Sequence, residues 1–288
     1  MNEQNNNNQQ INRSTGLLVI EVRNSNPNGD PDRESDPRQR QDDIGEISPV
    51  SFKRKLRDLV DNKEGPVWNE ISKQFDPTLE QQDFDILESR GRDRKKIKKE
   101  IESGEFETKY WDARLFGNTF LEEGGSNSIR TGVVQFGLGI SVAPINIERM
   151  TNTSKAGVQE GKDRGMAPLA YRVVQHAVYC MPFFINPSAA IRTGCTKRDI
   201  ELMLKLIPYA YPHTASYIRP FVEIRHAWYM EHSSSLGSCL DSELFDVLMP
   251  KKKTDPEKSS KSWDDYEVPQ KLPDELINKL SVFKDIVK

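Results

Sequence analysis

The sequence predicts an α+β protein built on one β-α-β-β-α-β unit, the RRM or ferredoxin-like palm in which two helices back a four-stranded antiparallel sheet. Three observations carry this. Four segments read as strands, by β-branched content or by strict alternation; two read as amphipathic helices; and the six follow in the order the fold requires. With 288 residues, 35% hydrophobic and 30% charged, the chain has room for that core and for large insertions.

The first strand, 16–23, is a run of Leu, Val and Ile ended by the turn string Asn24-Ser25-Asn26-Pro27-Asn28-Gly29. Ser48 then offers a capping hydroxyl before Pro49, and Phe52, Leu56, Leu59 and Val60 recur at helical spacing, so a helix of about three turns follows. In 131–143, Val134, Phe136, Leu138, Ile140 and Val142 alternate with Gln135, Gly137, Gly139 and Ser141, predicting a strand with one core face and one face of small residues. A long β-rich stretch, 173–185, is the third strand. Thr196 and Asp199 form a capping-box variant before Ile200, Met203, Leu204 and Ile207, and Pro208 stops this second helix. The last strand, 221–230, places Val222, Ile224 and Trp228 on one side and Glu223 and Arg225 on the other.

The remaining stretches are expected as insertions and tails. Residues 1–15, opening on Asn and Gln, read as a disordered N-terminal tail. An insertion at 61–130 carries seven basic residues between Arg90 and Lys99, expected to be solvated or mobile for want of an apolar stripe. A connection at 146–171, far longer than a hairpin loop, joins the two central strands. The palm closes near residue 250, and 251–288 reads as a charged low-complexity loop followed by a C-terminal helix.

Composition excludes several functions. No apolar run approaches the roughly 20 residues of a membrane-spanning helix, and no secretory signal opens the chain, so a cytoplasmic protein is expected. Cys180, Cys195 and Cys239 suit free thiols rather than a disulfide framework or zinc cluster. The four histidines show no metal-ligand spacing, and neither a phosphate-binding loop nor a nucleophile elbow is present, so no catalytic residue, metal or cofactor is expected. The loop after strand one mimics a calcium loop but lacks its first Asp and its bidentate Glu. Asp30, Asp32 and Asp36 suit turn chemistry better than metal-dependent cleavage. A net charge of −3 means that any nucleic-acid binding must rest on local groups. Those available are the backbone and amides of the loop, with Lys53 and Arg57 one turn apart on the first helix beside Arg54, which pairs with Asp58 at i+4. A solvated helix face is the ordinary explanation of such charges.

Six blocks make the reading specific. Asn26-Pro27-Asn28-Gly29-Asp30-Pro31-Asp32, then Pro37-Arg38, the helix Phe52-Lys53-Arg54-Lys55-Leu56-Arg57-Asp58, Asp112-Ala113-Arg114-Leu115-Phe116-Gly117, Gly132-Val133-Val134-Gln135-Phe136 and the segment from Glu231-His232 to Leu236-Gly237 occur in this order. Together they closely resemble the guide-RNA-binding backbone subunit of type I CRISPR effector (Cascade) complexes, of the RAMP superfamily, in the branch found in subtypes I-B and I-C. The resemblance spans about 16–250. It implies a hand-shaped protein with an RRM-like palm, a finger region at 61–130 and a thumb at 146–171, stacking along guide RNA with other Cascade subunits while the guide pairs with target DNA. It also implies RNA contacts from Arg23, Asn24, Asn26 and Asn28 in the loop, and from Lys53, Arg54 and Arg57 on the helix. Gln135 on the small-residue face suits a palm that reads backbone. In the thumb, Lys155, Lys162 and Arg164 supply charge and Met166 an apolar wedge. Two other readings stay open: a type III-like subunit cleaving target RNA with Asp30 or Asp32, and a structural oligomer without nucleic acid.

Overall fold

The first strand sets the architecture. In β1 (Ser14–Ser25) the first nine residues are buried without alternation, which occurs only when both faces of a sheet are covered. The structure, a computed structural model, describes residues 10–89, 93–119, 129–154 and 167–288. After β1 come β2 (Ile44–Ile47), α1 (Pro49–Asp61), α2 (Pro66–Ser72), α3 (Arg94–Ser103) and α4 (Trp111–Phe116). These lead to β3 (Val134–Phe136), β4 (Gly139–Pro144), β5 (Ile147–Ser154) and β6 (Ala167–Ile185), and then to α5 (Lys197–Leu206), β7 (Val222–His232), α6 (Asp241–Leu248) and β8 (Leu280–Asp285). The result is a mixed α+β fold around a large antiparallel sheet of order β8-β7-β1-β6-β4-β2, with β3 and β5 also paired to β6.

Alternation along β1 divides the core in two. Leu18, Ile20 and Val22 face the layer of α1, α2 and α5, where Phe52, Leu56, Trp68, Ile200 and Met203 join them. Leu17 and Val19 face the opposite way, toward Leu244 and Leu248 of α6 and toward Tyr266 and Leu272. Both helices predicted for the palm form as their caps direct. Ser48 Oγ accepts from Ser51 N at 3.2 Å, and Thr196 and Asp199 make the reciprocal box.

Two predicted strands carry one residue more than their partner requires. Phe136 opposes Phe183, yet Ile140 opposes Cys180, so four steps on one chain meet three on β6. The cause is Pro182, which has no N–H for the ladder; Gly137 N donates instead to Pro182 O at 2.8 Å. The pleat inverts there. Val134 and Phe136 are buried, but beyond the bulge Ser141 and Ala143 are buried, while Leu138 is exposed and Ile140 half-buried, so the single predicted core face does not hold. A bulge at Arg225 does the same in β7: Val222 and Ile224 face the helices, whereas Trp228 faces the other core.

Two charged stretches differ from expectation. From Arg94 on, the basic run forms α3: its lysines are exposed, as a solvated segment requires, but Ile97 buries and Glu100 is bound by Lys109 Nζ and Tyr110 Oη, each at 2.6 Å. The C-terminal stretch is mostly turns and irregular chain with three short strands. Its helix is one turn, Asp274–Ile277, before β8 covers the edge of β7. The Lys251-rich loop is ordered around Lys252, whose ammonium donates to the carbonyls of Asp255, at 2.8 Å, and Lys258.

The 61–130 insertion is tied to the helix layer by two buried ion pairs. Arg57 Nε donates to Asp112 Oδ2 at 2.8 Å, and Arg114 Nη2 to Asp199 Oδ1 at 2.7 Å. The 146–171 connection is a two-stranded ribbon as far as the described residues show it. β6 has 19 residues, and its first eight, from Ala167 to Val174, pair with β5. Among the described residues no helix is long and apolar enough to cross a membrane.

Candidate nucleic-acid interface

The loop after β1 is built by its own amides. Asn26 is only 1% exposed: its N donates to Ile218 O at 2.7 Å and its Nδ2 to Ser35 O at 2.7 Å. Asn28 Nδ2 donates to Gly29 O at 2.8 Å, and Asn28 Oδ1 accepts Ser48 N at 2.7 Å, which locks the loop to the start of α1. These two predicted contact residues therefore shape the loop rather than present their amides to a ligand. The return is tight enough to hold Asn24, Glu34 and Ser35 at positive φ of 41°, 51° and 66°. Asn24 and Arg23 are exposed; the Arg23 guanidinium lies 3.5 Å over the Phe221 ring and 3.4 Å from Glu21. Asp30 Oδ1 accepts Asp32 N at 3.2 Å and sits 3.9 Å from Arg38.

Helix α1 separates its cations onto two sides. Lys53 and Arg57, one turn apart, face the insertion. Arg57 is 6% exposed and held by Asp112, itself 1% exposed, so its guanidinium is taken up inside the protein. Lys53 lies 5.1 Å over the Phe116 ring, and burial, then the charge of Arg57, pulls its ammonium down to about 8. Arg54 is 3.8 Å from Asp58 at the surface. Lys55, two residues on from Lys53, points to another side of the helix. Its Nζ donates to Thr214 Oγ1 at 2.9 Å and lies 5.0 Å from the Tyr211 ring, with no carboxylate in ion-pair range among the described residues. Burial, then the charge of Arg219, draws it to about 8 as well.

Lys55 thus lies toward the turn before β7, near Arg219, and is as buried as Arg57. Arg219 Nε donates to Asn26 O at 2.8 Å, joining the loop to the turn before β7. The ribbon supplies the other wall. Arg149 and Arg172 stand directly opposite each other across β5 and β6, and Arg172 is ion-paired to Asp36 of the loop. Tyr171 meets Tyr217 edge-on, with ring centroids 5.2 Å apart. Between them lies a cleft of about 240 Å³ lined by Asn26, Glu34, Ser35, Asp36, Arg149, Ala170, Tyr171, Arg172 and Ile218, so two acidic residues share it with two arginines. Arg33, Gln39 and Ile147 line a neighbouring one of about 520 Å³.

Gln135 belongs to neither wall. It is exposed on the opposite pleat from Val134 and Phe136, and its Nε2 donates to Gly132 O at 3.2 Å. Lys155, Lys162, Arg164 and Met166 lie outside the described residues. On the second face of the sheet, Glu21 is buried 2.6 Å from Arg225 and 3.4 Å from His176. Burial lowers the His176 pKa despite that carboxylate, so the ring is neutral near pH 7. Among the described residues no three His, Cys, Asp or Glu side chains converge as a metal site.

Sequence reasoning passed over Lys55, Arg149, Arg172, Tyr171, Tyr217 and Arg219. Lys55 sits at a buried helix position, and the others acquire a common neighbourhood only through sheet register. The signal that could have been read is the cluster of Tyr217 and Arg219 just before a strand whose start abuts the first loop.

A large antiparallel sheet carrying a long ribbon, with arginines and carboxylates mixed in the cleft at the ribbon's foot, defines the class as a mixed α+β protein. The sequence places it within a family: residues 12–271 match CRISPR-associated protein Cas7, and the chain belongs to that family. No protein of curated function matches it by sequence. Its fold is similar to a chain of a CRISPR RNA-guided surveillance complex in a pre-nicking state, at 13% identity, covering 76% of this chain and 78% of that one, TM-score 0.49. A second CRISPR RNA-guided surveillance complex gives 14% identity, 76% and 69% coverage and TM-score 0.45. A chain of a type III-B Cmr-beta complex bound to cognate target RNA gives 12% identity, 76% and 61% coverage and TM-score 0.41.

Proposed function

We propose that this protein is the guide-RNA-binding backbone subunit of a type I Cascade complex. Membership of the Cas7 family is the observation that carries the reading. The strands 14–25, 134–144, 167–185 and 222–232 serve as an RRM-like palm; their order in the sheet, with the last beside the first and the third between first and second, is that of a ferredoxin-like unit. The ribbon is the thumb and the 61–130 insertion the finger region. Copies stack along one RNA with other Cascade subunits in the cytoplasm, and the guide selects target DNA by base pairing. The loop and ribbon foot hold RNA through Arg149, Arg172 and Arg219, contacts that carry no sequence information. The subunit performs no chemistry.

Binding of a labelled single-stranded RNA, followed by anisotropy over a salt series, tests this. Three phosphate contacts predict a slope of log K against log salt of about −2, alike for unrelated sequences. An absence of binding would favour the structural-oligomer reading. RNA cut at regular intervals with Mg²⁺, and spared by Asp30→Ala or Asp32→Ala, would favour the type III reading.

A further inference from the structure

Tyr217 has 61% of its surface exposed, yet it stands on a turn with little freedom to move. Arg219 N donates to Ser216 O at 2.8 Å and closes the turn; Asn26 N donates to Ile218 O at 2.7 Å, and Arg219 Nε to Asn26 O at 2.8 Å, fastening it to the buried loop. The half-buried Tyr171 supports the ring edge-on, the two planes at 65°. An exposed ring with both a fixed backbone and an aromatic support is pre-organised for a planar ligand.

The charges around it are arranged at a cost to the free protein. Arg149 and Arg172 are cross-strand neighbours, and like charges so placed repel. Asp36 offsets Arg172, but among the described residues no carboxylate lies in ion-pair range of Arg149. On the other side of the turn, Lys55 is buried with a hydroxyl and a tyrosine ring as its partners and Arg219 as a neighbouring cation. Arg149 and Arg172 line the cleft with Tyr171, alongside Glu34 and Asp36, and Arg219 stands two residues beyond Tyr217 on the same turn, so cations that can meet the phosphates on either side of a base adjoin the exposed ring and its support.

We propose that Tyr217, supported by Tyr171, is a stacking platform for one nucleobase, with the adjoining phosphates held by Arg149 and Arg172 on one side and by Arg219 on the other. The proposal rests on the RNA-binding reading above and adds what this cleft recognises: the face of a base, which every base possesses, and not its edge. Stacking of this kind tolerates any guide sequence.

The test uses the full chain, a single-stranded RNA and an abasic strand of the same length and charge. Tyr217→Ala is expected to weaken RNA binding about tenfold and to leave abasic-strand binding unchanged, whereas Tyr217→Phe keeps both. Tyr217→Trp adds an indole to four native tryptophans; its extra fluorescence should be quenched by RNA and not by the abasic strand. RNA binding by Tyr217→Ala within twofold of the unaltered protein, or an unquenched indole in a complex known to have formed, overturns the platform while leaving RNA binding intact. Failure of the unaltered protein to bind RNA overturns the binding reading and the platform with it.

Discussion

Replacing Arg114 with alanine is expected to destabilise the protein by about 3–5 kcal/mol, the range for removing one partner of a buried ion pair. Its guanidinium donates to Asp199 at 2.7 Å, to Asp83 O at 2.8 Å and to Glu107 O at 3.2 Å, so it ties the insertion to α5. Asp199 is 1% exposed and cannot gain water in its place. A carboxylate left without its cation carries most of the penalty; the helix cap from Thr196 is its other support. Urea denaturation of Arg114→Ala against the unaltered protein measures the loss, and Asp199→Asn, which removes the stranded charge, should recover part of it in the double variant. A change below about 1 kcal/mol would mean that the pair is open to solvent. Arg57→Ala has the same consequence at Asp112, so weaker RNA binding in that variant reports on folding before it reports on phosphate contacts.

Shortening the ribbon is expected to separate binding from assembly. Met150 and Tyr171 are cross-strand partners, so an Asn-Gly turn in place of residues 151–170 closes a hairpin in register and keeps Arg149, Tyr171 and Arg172. The palm loses none of its two cores, and single-site RNA affinity should stay within about threefold, or 0.7 kcal/mol. Head-to-tail growth along a long RNA should disappear, because the segment proposed to reach the adjacent copy is gone. Analytical ultracentrifugation on a long RNA decides: a ladder of assembled copies with the shortened protein would remove the ribbon from the contact between subunits.

The fold was largely legible because its signals are local. The Ser48 and Thr196 caps, the apolar stripe of α1 and the β-branched run of β1 need only neighbouring residues to be read. The faces of two strands were not. Pro182 acts from β6 on the alternation of 134–144, and the extra residue at Arg225 has meaning only against the register of β1, so the sequence of either strand reads as an unbroken pleat. The site suffered more. Arg57 matches a phosphate-contacting position of the family it resembles, yet here its partner is Asp112, 55 residues away, at 2.8 Å. Asn26 and Asn28 looked like free amides in a turn because their partners, Ser35, Gly29 and Ser48, are set by the path of the loop. Conversely, Tyr217 and Arg149 lie far apart in sequence and are linked, through Tyr171, only after β5, β6 and the turn before β7 are assembled.

Whether this chain holds a guide RNA is decided most directly by expressing the protein with a CRISPR array and its companion subunits, then measuring what RNA leaves the column with it. A guide-RNA-binding subunit should bring nucleic acid into the assembled fraction, sensitive to ribonuclease and of one uniform length carrying the array's spacer sequence. Protein assembled at the same size without RNA, or with RNA of random length and origin, would contradict it.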